Sequence, residues 1–286
     1  MTEEQEQIAP DRQDRKRGCR AGIWIAAGIV LLCVVSTLFL IGPIRHKMMV
    51  ADAEKQGLIL SKDGSTVTGV KNEKVKYIEI PDGIRYIDDE AFMDCRQLRE
   101  ITIPDSVKRI GNSAFKNCRS LEEVEIPDGV KSIEDDTFAF CHKLKSVTFP
   151  DSITSIGKRA FLCCASLKSI TIPDGVTRIE NETFEECRNL ESVTLPDSVE
   201  SIGVQAFSWC SFTGITIPDS VTHIGAQAFA NCSSLGYIEI PDSVTSVGNG
   251  VFGACDSLSS ISVPSHFSYE TLRTWGMPYS CYVRTR

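Results

Sequence analysis

The residues of this chain best suited to chemistry are its cysteines, twelve in all. Eight of them, Cys95, Cys118, Cys141, Cys164, Cys187, Cys210, Cys232 and Cys255, recur at steps of 23 residues with a single step of 22. Zinc would need about four ligands converging tetrahedrally, whereas a regular recurrence sets its ligands in a line. Disulfides between coils stacked about 4.8 Å apart have their Cα atoms in range. Parallel side chains, however, leave the Cβ atoms well beyond the preferred ~3.8 Å. The reading is a column of free, buried thiols that pack as small hydrophobes and weak donors. Cys163 and Cys281 stand outside that register, where they either pair or stay free.

Other reactive groups are dispersed. His46, His142, His223 and His266 fall in linker, repeats and tail. His142 adjoins Cys141, but neighbouring side chains diverge, so a Cys–His dyad is not expected. One Asp after every recurring proline but the last falls short of the six to eight oxygens that calcium takes, and turn capping explains it better. No catalytic residue, metal or cofactor is expected. With 30 Lys+Arg against 38 Asp+Glu the formal charge is -8, which disfavours a nucleic-acid partner.

What remains is a surface. Before each proline the chain alternates, as in Ile101-Thr102-Ile103 and Val124-Glu125-Ile126, so every second residue of a short strand faces outward. One outward column reads Glu79, Thr102, Glu125, Thr148, Thr171, Thr194, Thr216, Glu239, Ser262. Its neighbour reads Tyr77, Glu100, Glu123, Ser146, Ser169, Ser192, Gly214, Tyr237, Ser260. Acids and tyrosines toward the ends make Tyr77, Glu79, Glu100, Thr102, Glu123, Glu125, Tyr237 and Glu239 the candidate partner-binding surface. Thr and Ser at these positions also simply suit an exposed sheet. Trp209 joins the candidates: it lies in the one short unit, beside Phe212, and either anchors a partner or repairs packing at the deletion.

The elements that carry these residues follow from periodicity. Prolines at 81, 104, 127, 150, 173, 196, 218, 241 and 264 are 23 apart but for one step of 22, giving eight complete units. A fixed period of this length marks a solenoid, in which each coil buries its apolar face on its neighbours. Proline after the strand ends its pairing, and Asp-Ser or Asp-Gly turns the corner. A second apolar pair, Val107 and Ile110 in one unit, with Gly often following, suggests a second bend. Ala-Phe-x-x-Cys then reads as one helical turn with Phe and Cys on the same side. The eight Phe, from Phe92 to Phe252, are expected to stack as a spine beside a column of Leu.

These units, of which PDSVKRIGNSAFKNCRSLEEVEI (104–126) is typical, resemble the BspA-like leucine-rich repeats. The resemblance covers about two thirds of the chain. It implies a curved α/β solenoid with a parallel sheet on its concave side, and surface or secreted proteins that adhere to or bind other proteins. It implies no enzyme.

Ahead of the repeats, residues 21–42 form a 22-residue run without a charge. As a helix this spans about 33 Å, enough for a hydrocarbon core of about 30 Å. It is longer than the apolar core of a cleaved signal, and Arg45, His46 and Lys47 intervene before Ala51-Asp52-Ala53. An uncleaved signal anchor is expected. Five Lys/Arg on its N-terminal side against three beyond it place the N-terminus in the cytoplasm and the repeats outside.

The expected organisation is a cytoplasmic tail (1–20), transmembrane anchor (21–42), juxtamembrane linker (43–57), N-terminal cap with a hairpin turn at Asp63-Gly64 (58–80), solenoid (81–264) and aromatic C-terminal cap (265–286). The expected partners are a protein or glycan at the cell surface, bound by the concave sheet, and the lipid bilayer. The rival reading is a structural spacer or a self-associating surface component.

Overall fold

The computed structural model describes residues 45–286, so the apolar run 21–42 lies outside the described residues. Among those described, no helix is long and apolar enough to cross a membrane. Residues 45–55 are helical (α1), and from Met49 onward the chain forms one unit in which Met49 and Ala53 enter the core.

A hairpin follows. β1 (Leu58–Leu60) pairs antiparallel with β2 (Thr66–Val70). Its turn is built by Asp63, which accepts from the hydroxyls of Ser61 and Ser65 and from the Ser65 N–H, with Gly64 at φ 70°. Those donors hold the Asp63 carboxyl down at about 2.

Each coil then contributes two short strands to two parallel ladders. The first ladder holds β3 (Tyr77–Glu79), β5 (Glu100–Thr102), β7 (Glu123–Glu125), β9 (Ser146–Thr148), β11 (Ser169–Thr171), β13 (Ser192–Thr194), β16 (Tyr237–Glu239), β18 (Ser260–Val263) and β19 (Tyr282–Thr285). The second continues from β2 through two-residue strands: β4 (Tyr86–Ile87), β6 (Arg109–Ile110), β8 (Ser132–Ile133), β10 (Ser155–Ile156), β12 (Arg178–Ile179), β14 (Ser201–Ile202), β15 (His223–Ile224) and β17 (Ser246–Val247). The segment expected to be only a bend is thus a strand.

The third side corrects the expected helical turn. Five residues and one residue before each repeat Cys, the backbone is left-handed: Ser113 and Asn117, Asp136 and Phe140, Arg159 and Cys163, at φ 53–65°. No helix survives such alternation, so the repeats form a parallel β-solenoid rather than an α/β one. The physical reason lies in the amides. Flipping every other peptide turns the N–H of Ser113, Phe115 and Asn117 along the solenoid axis, where they donate to Asp135, Thr137 and Ala139 carbonyls of the next coil. Apart from α1, the helix among the described residues is the five-residue α2 (Tyr269–Arg273) of the tail.

Inside, the phenylalanine rings stack from Phe92 to Phe252 with centroids 5.2 to 5.9 Å apart. Trp275 ends the spine edge-on to Phe252. Beside it runs the thiol column. Each Sγ from Cys118 to Cys255 donates to the Phe carbonyl of the preceding coil, at 3.0 to 3.4 Å. Burial pushes these thiols up, Cys141 to about 12.

The ladders are not uniform. Counting coils from the first-ladder strand, pairing joins 77–99 with 100–122, 123–145 with 146–168, and 169–191 with 192–213 at both corners, and lapses between these pairs. Sequence follows the same alternation. Gly83, Gly129 and Gly175 stand where the second coils have Ser106, Ser152 and Ser198. Asp89, Asp135 and Asn181 in the first coils accept the N–H of Asn112, Lys158 and Val204 in the second. The second coils answer with Gly111, Gly157 and Gly203, where a Cβ would lie 2.7 Å or less from those acceptors and their backbone. The repeating module is therefore two coils, 46 residues, until the 22-residue step breaks the alternation.

Candidate functional site

The first ladder presents one outward face. Tyr77 lies across from Glu100 and Glu79 from Thr102 on β3 and β5, Glu123 across from Ser146 and Glu125 from Thr148 on β7 and β9. The alternation that predicted these columns places Ile78, Ile101 and Val124 in the core between them. Glu100, Thr102, Glu123, Glu125, Ser146 and Thr148 line a depression of about 300 Å³ across the junction between the first two modules. Among the described residues, Glu79, Glu100, Glu123 and Glu125 make no ion pair. Their charge is left for solvent or a partner.

Glu239 differs. Arg286 reaches back to it at 2.5 Å and to Asp242 at 3.5 Å, and the Tyr237 hydroxyl donates to its other oxygen. The tail, read from sequence as an aromatic cap, brings this about by folding its last residues into β19 alongside β18. Tyr237 and Glu239 thus lie far along the ladder from the acidic group and do not join it.

The two aromatic residues of the short coil divide between them the two roles that the sequence left open for Trp209. Phe212 is fully buried, edge-on to Phe207 and Phe229 at 6.1 and 6.2 Å, and it is Phe212 that repairs the deletion. That repair costs the coil its first-ladder strand, since residues 211–217 form none. Trp209 is 43% exposed in a left-handed position, with the Arg188 guanidinium 5.2 Å from its ring. It is on the turn side, apart from the sheet columns.

Asp136, His142 and His266 have structural roles. Asp136, only 7% exposed, accepts from Lys116 at 3.1 Å and Arg159 at 2.9 Å, joining three consecutive coils. Burial pushes its carboxyl up, but the bonds from Arg159 and Lys116 outweigh this and hold it below its usual range. His142 turns from Cys141 to the Cys163 carbonyl at 3.1 Å, and His266 to the Val244 carbonyl at 2.9 Å. Among the described residues no three His, Cys, Asp or Glu side chains converge as metal ligands would. The chemistry available on the outward face is recognition by carboxylate, hydroxyl and phenol.

Comparison with known proteins agrees with this geometry. The family profile of the BspA type Leucine rich repeat region (6 copies) matches residues 70–191 and again 154–272. Among solved structures, the chain is similar to a leucine rich cell surface protein from Faecalibacterium prausnitzii A2-165, at 26% identity and TM-score 0.57 over 80% of this chain and 92% of that one. It is also similar to the leucine rich repeat protein of T. pallidum, at 26% identity and TM-score 0.53 over 80% and 96% of the two chains. A search of curated proteins found no match. With the repeat profile covering well over half its length, the chain belongs to the BspA type leucine-rich repeat family.

Proposed function

We propose that this protein is a surface-displayed binding scaffold whose first ladder holds a protein partner rich in basic and hydrogen-bonding side chains. The observation that carries the reading is the set of unpaired carboxylates, Glu79, Glu100, Glu123 and Glu125, set among the hydroxyls of Thr102, Ser146 and Thr148 on one face. The strands that carry them are anchored by the buried Ile78, Ile101 and Val124, so binding spends little on ordering the backbone beneath them. Attachment to a membrane through residues 21–42 is supported by their length and lack of charge, and display outside by the charge bias around them. The cell surface name of a similar protein favours the same placement.

Replacement of Glu100, Glu123 and Glu125 together by Gln tests the binding face. Capture of partners from a cell-surface extract by the full chain is expected to fall in the triple variant and to weaken as salt rises for the parent. Undiminished capture would remove the first ladder as the binding face. Capture of nothing by the parent would favour a spacer.

A further inference from the structure

The outward columns of the first ladder end in residues of opposite character. They open on Tyr77 and Glu79 of β3 and close on Tyr282 and Arg284 of β19, where those two face Ser260 and Ser262. Among the described residues β3 pairs only with β5, and β19 only with β18. The hydrogen bonds show which backbone groups are left over. The Lys76 carbonyl accepts from Arg99 and the Ile80 N–H donates to Thr102, so Tyr77 and Glu79 turn their peptide groups away from β5. On β19 the N–H groups of Tyr282 and Arg286 donate to Ser259 and Val263, which leaves those of Val283 and Thr285 facing outward. Such an edge is a template for another strand.

Exposed apolar surface also gathers at the two ends. Ile59 of the hairpin and Tyr77 and Tyr86 of the first coil are exposed at one end and Tyr269, Tyr279 and Tyr282 at the other, against Val204, Trp209 and Tyr237 in the coils between residues 100 and 259.

We propose that β19 of one copy adds in parallel to β3 of a second copy, continuing the first ladder head to tail from molecule to molecule. The register of the ladder then sets Tyr282 against Tyr77 and Arg284 against Glu79. Neither Glu79 nor Arg284 has an ion-pair partner among the described residues, whereas Arg286 is already held by Glu239 and Asp242 of its own copy. Joining two different edges is a heterologous contact that leaves a free edge on each copy, so association does not stop at a dimer and the product is a chain of copies wherever the rotation between them does not close a ring. Where the N-termini are tied to one surface, such a chain requires the solenoids to lie along it. The proposal is independent of any ligand on the first-ladder face.

Sedimentation velocity of the full chain in non-ionic detergent tests it. The parent is expected to grow with concentration and to shorten as salt rises. Arg284→Glu or Glu79→Arg alone sets like charges together at the joint and is expected to weaken association by roughly tenfold or more. An equimolar mixture of the two variants restores opposite charges at every joint and is expected to recover growth, as is the double variant. Concentration-independent sedimentation of the parent would overturn the proposal. So would growth that persists in both single variants, or a mixture that fails to recover, since either places association elsewhere, such as at the apolar run 21–42.

Discussion

At the scale of single residues, the fold is a compromise between what each coil must bury and how its amides must point. Phe, Cys and Leu were legible in the sequence because every coil makes the same demand on the same buried position. The left-handed positions were not, because residues as unlike as Asn117, Phe140, Cys163 and Trp209 fill them and glycine is almost absent. Backbone pairing between coils, not side-chain type, selects that conformation, and a β-carbon there costs about 1–2 kcal/mol. Ala254 is a clear case: it is exposed, at φ 56°, with no polar side chain to compensate. Ala254→Gly is expected to raise stability by about 1 kcal/mol in urea unfolding, despite the usual entropic penalty of glycine. Trp209 shows the same effect: its residue type left partner anchor and packing repair both open, and a left-handed residue on the turn side points its ring outward.

At the scale of elements, the first strand was legible because three alternating residues and a proline mark it, while the second is only two residues long and offers no period to read. The two-coil module was present in the sequence as the alternation of Pro-Asp-Gly with Pro-Asp-Ser, but inside a 23-residue period it looks like tolerated variation. Its meaning is steric. A Cβ on Gly157 would meet the Asp135 amide nitrogen at 2.7 Å, whereas one on Gly236 would find nothing nearer than 3.8 Å. Gly157→Ala is therefore expected to cost about 1–3 kcal/mol and Gly236→Ala far less, measured side by side by thermal melting. Deletions test the module as a whole. Removing residues 100–145 stacks a second coil on a first coil, as in the parent. Removing 100–122 alone sets Glu134 where Gly111 had been, against the backbone of Asp88 and Asp89. The longer deletion is expected to melt cooperatively near the parent and the shorter one far below it. Equal melting of the two would show that single coils are interchangeable. The candidate face was legible at this scale too, since alternation alone set the outward columns. The Glu239–Arg286 pair was not, because nothing local announces that the chain end returns as a strand.

At the scale of the whole molecule, a solenoid adds its coils nearly independently, so a feature repeated in every coil becomes a property of the protein. The buried thiols are such a feature. Desolvation raises Cys95 and Cys141 to about 12 and Cys118, Cys164 and Cys210 well above their ordinary value. In the unfolded chain a thiol ionises near 8.5. Below that pH both states hold the proton and the full stability is present. Above it the unfolded chain releases protons that the folded one keeps, so stability falls as pH rises toward about 12 for Cys95 and Cys141. Each such thiol contributes a slope of roughly 1.4 kcal/mol per pH unit across that window. Urea unfolding under reducing conditions is thus expected to show a steep loss of stability between about pH 9 and 11. Tyrosines and lysines titrate in the same range, so the comparison that isolates the thiols is with Cys141→Ala/Cys164→Ala. At pH 7 this variant is expected to lose about 1–2 kcal/mol per site, through missing volume and the missing bonds to Phe115 and Phe138 carbonyls. Between pH 9 and 11 it is expected to decline less steeply than the parent by about 2.7 kcal/mol per pH unit, and parallel slopes would show that the column does not govern alkaline stability.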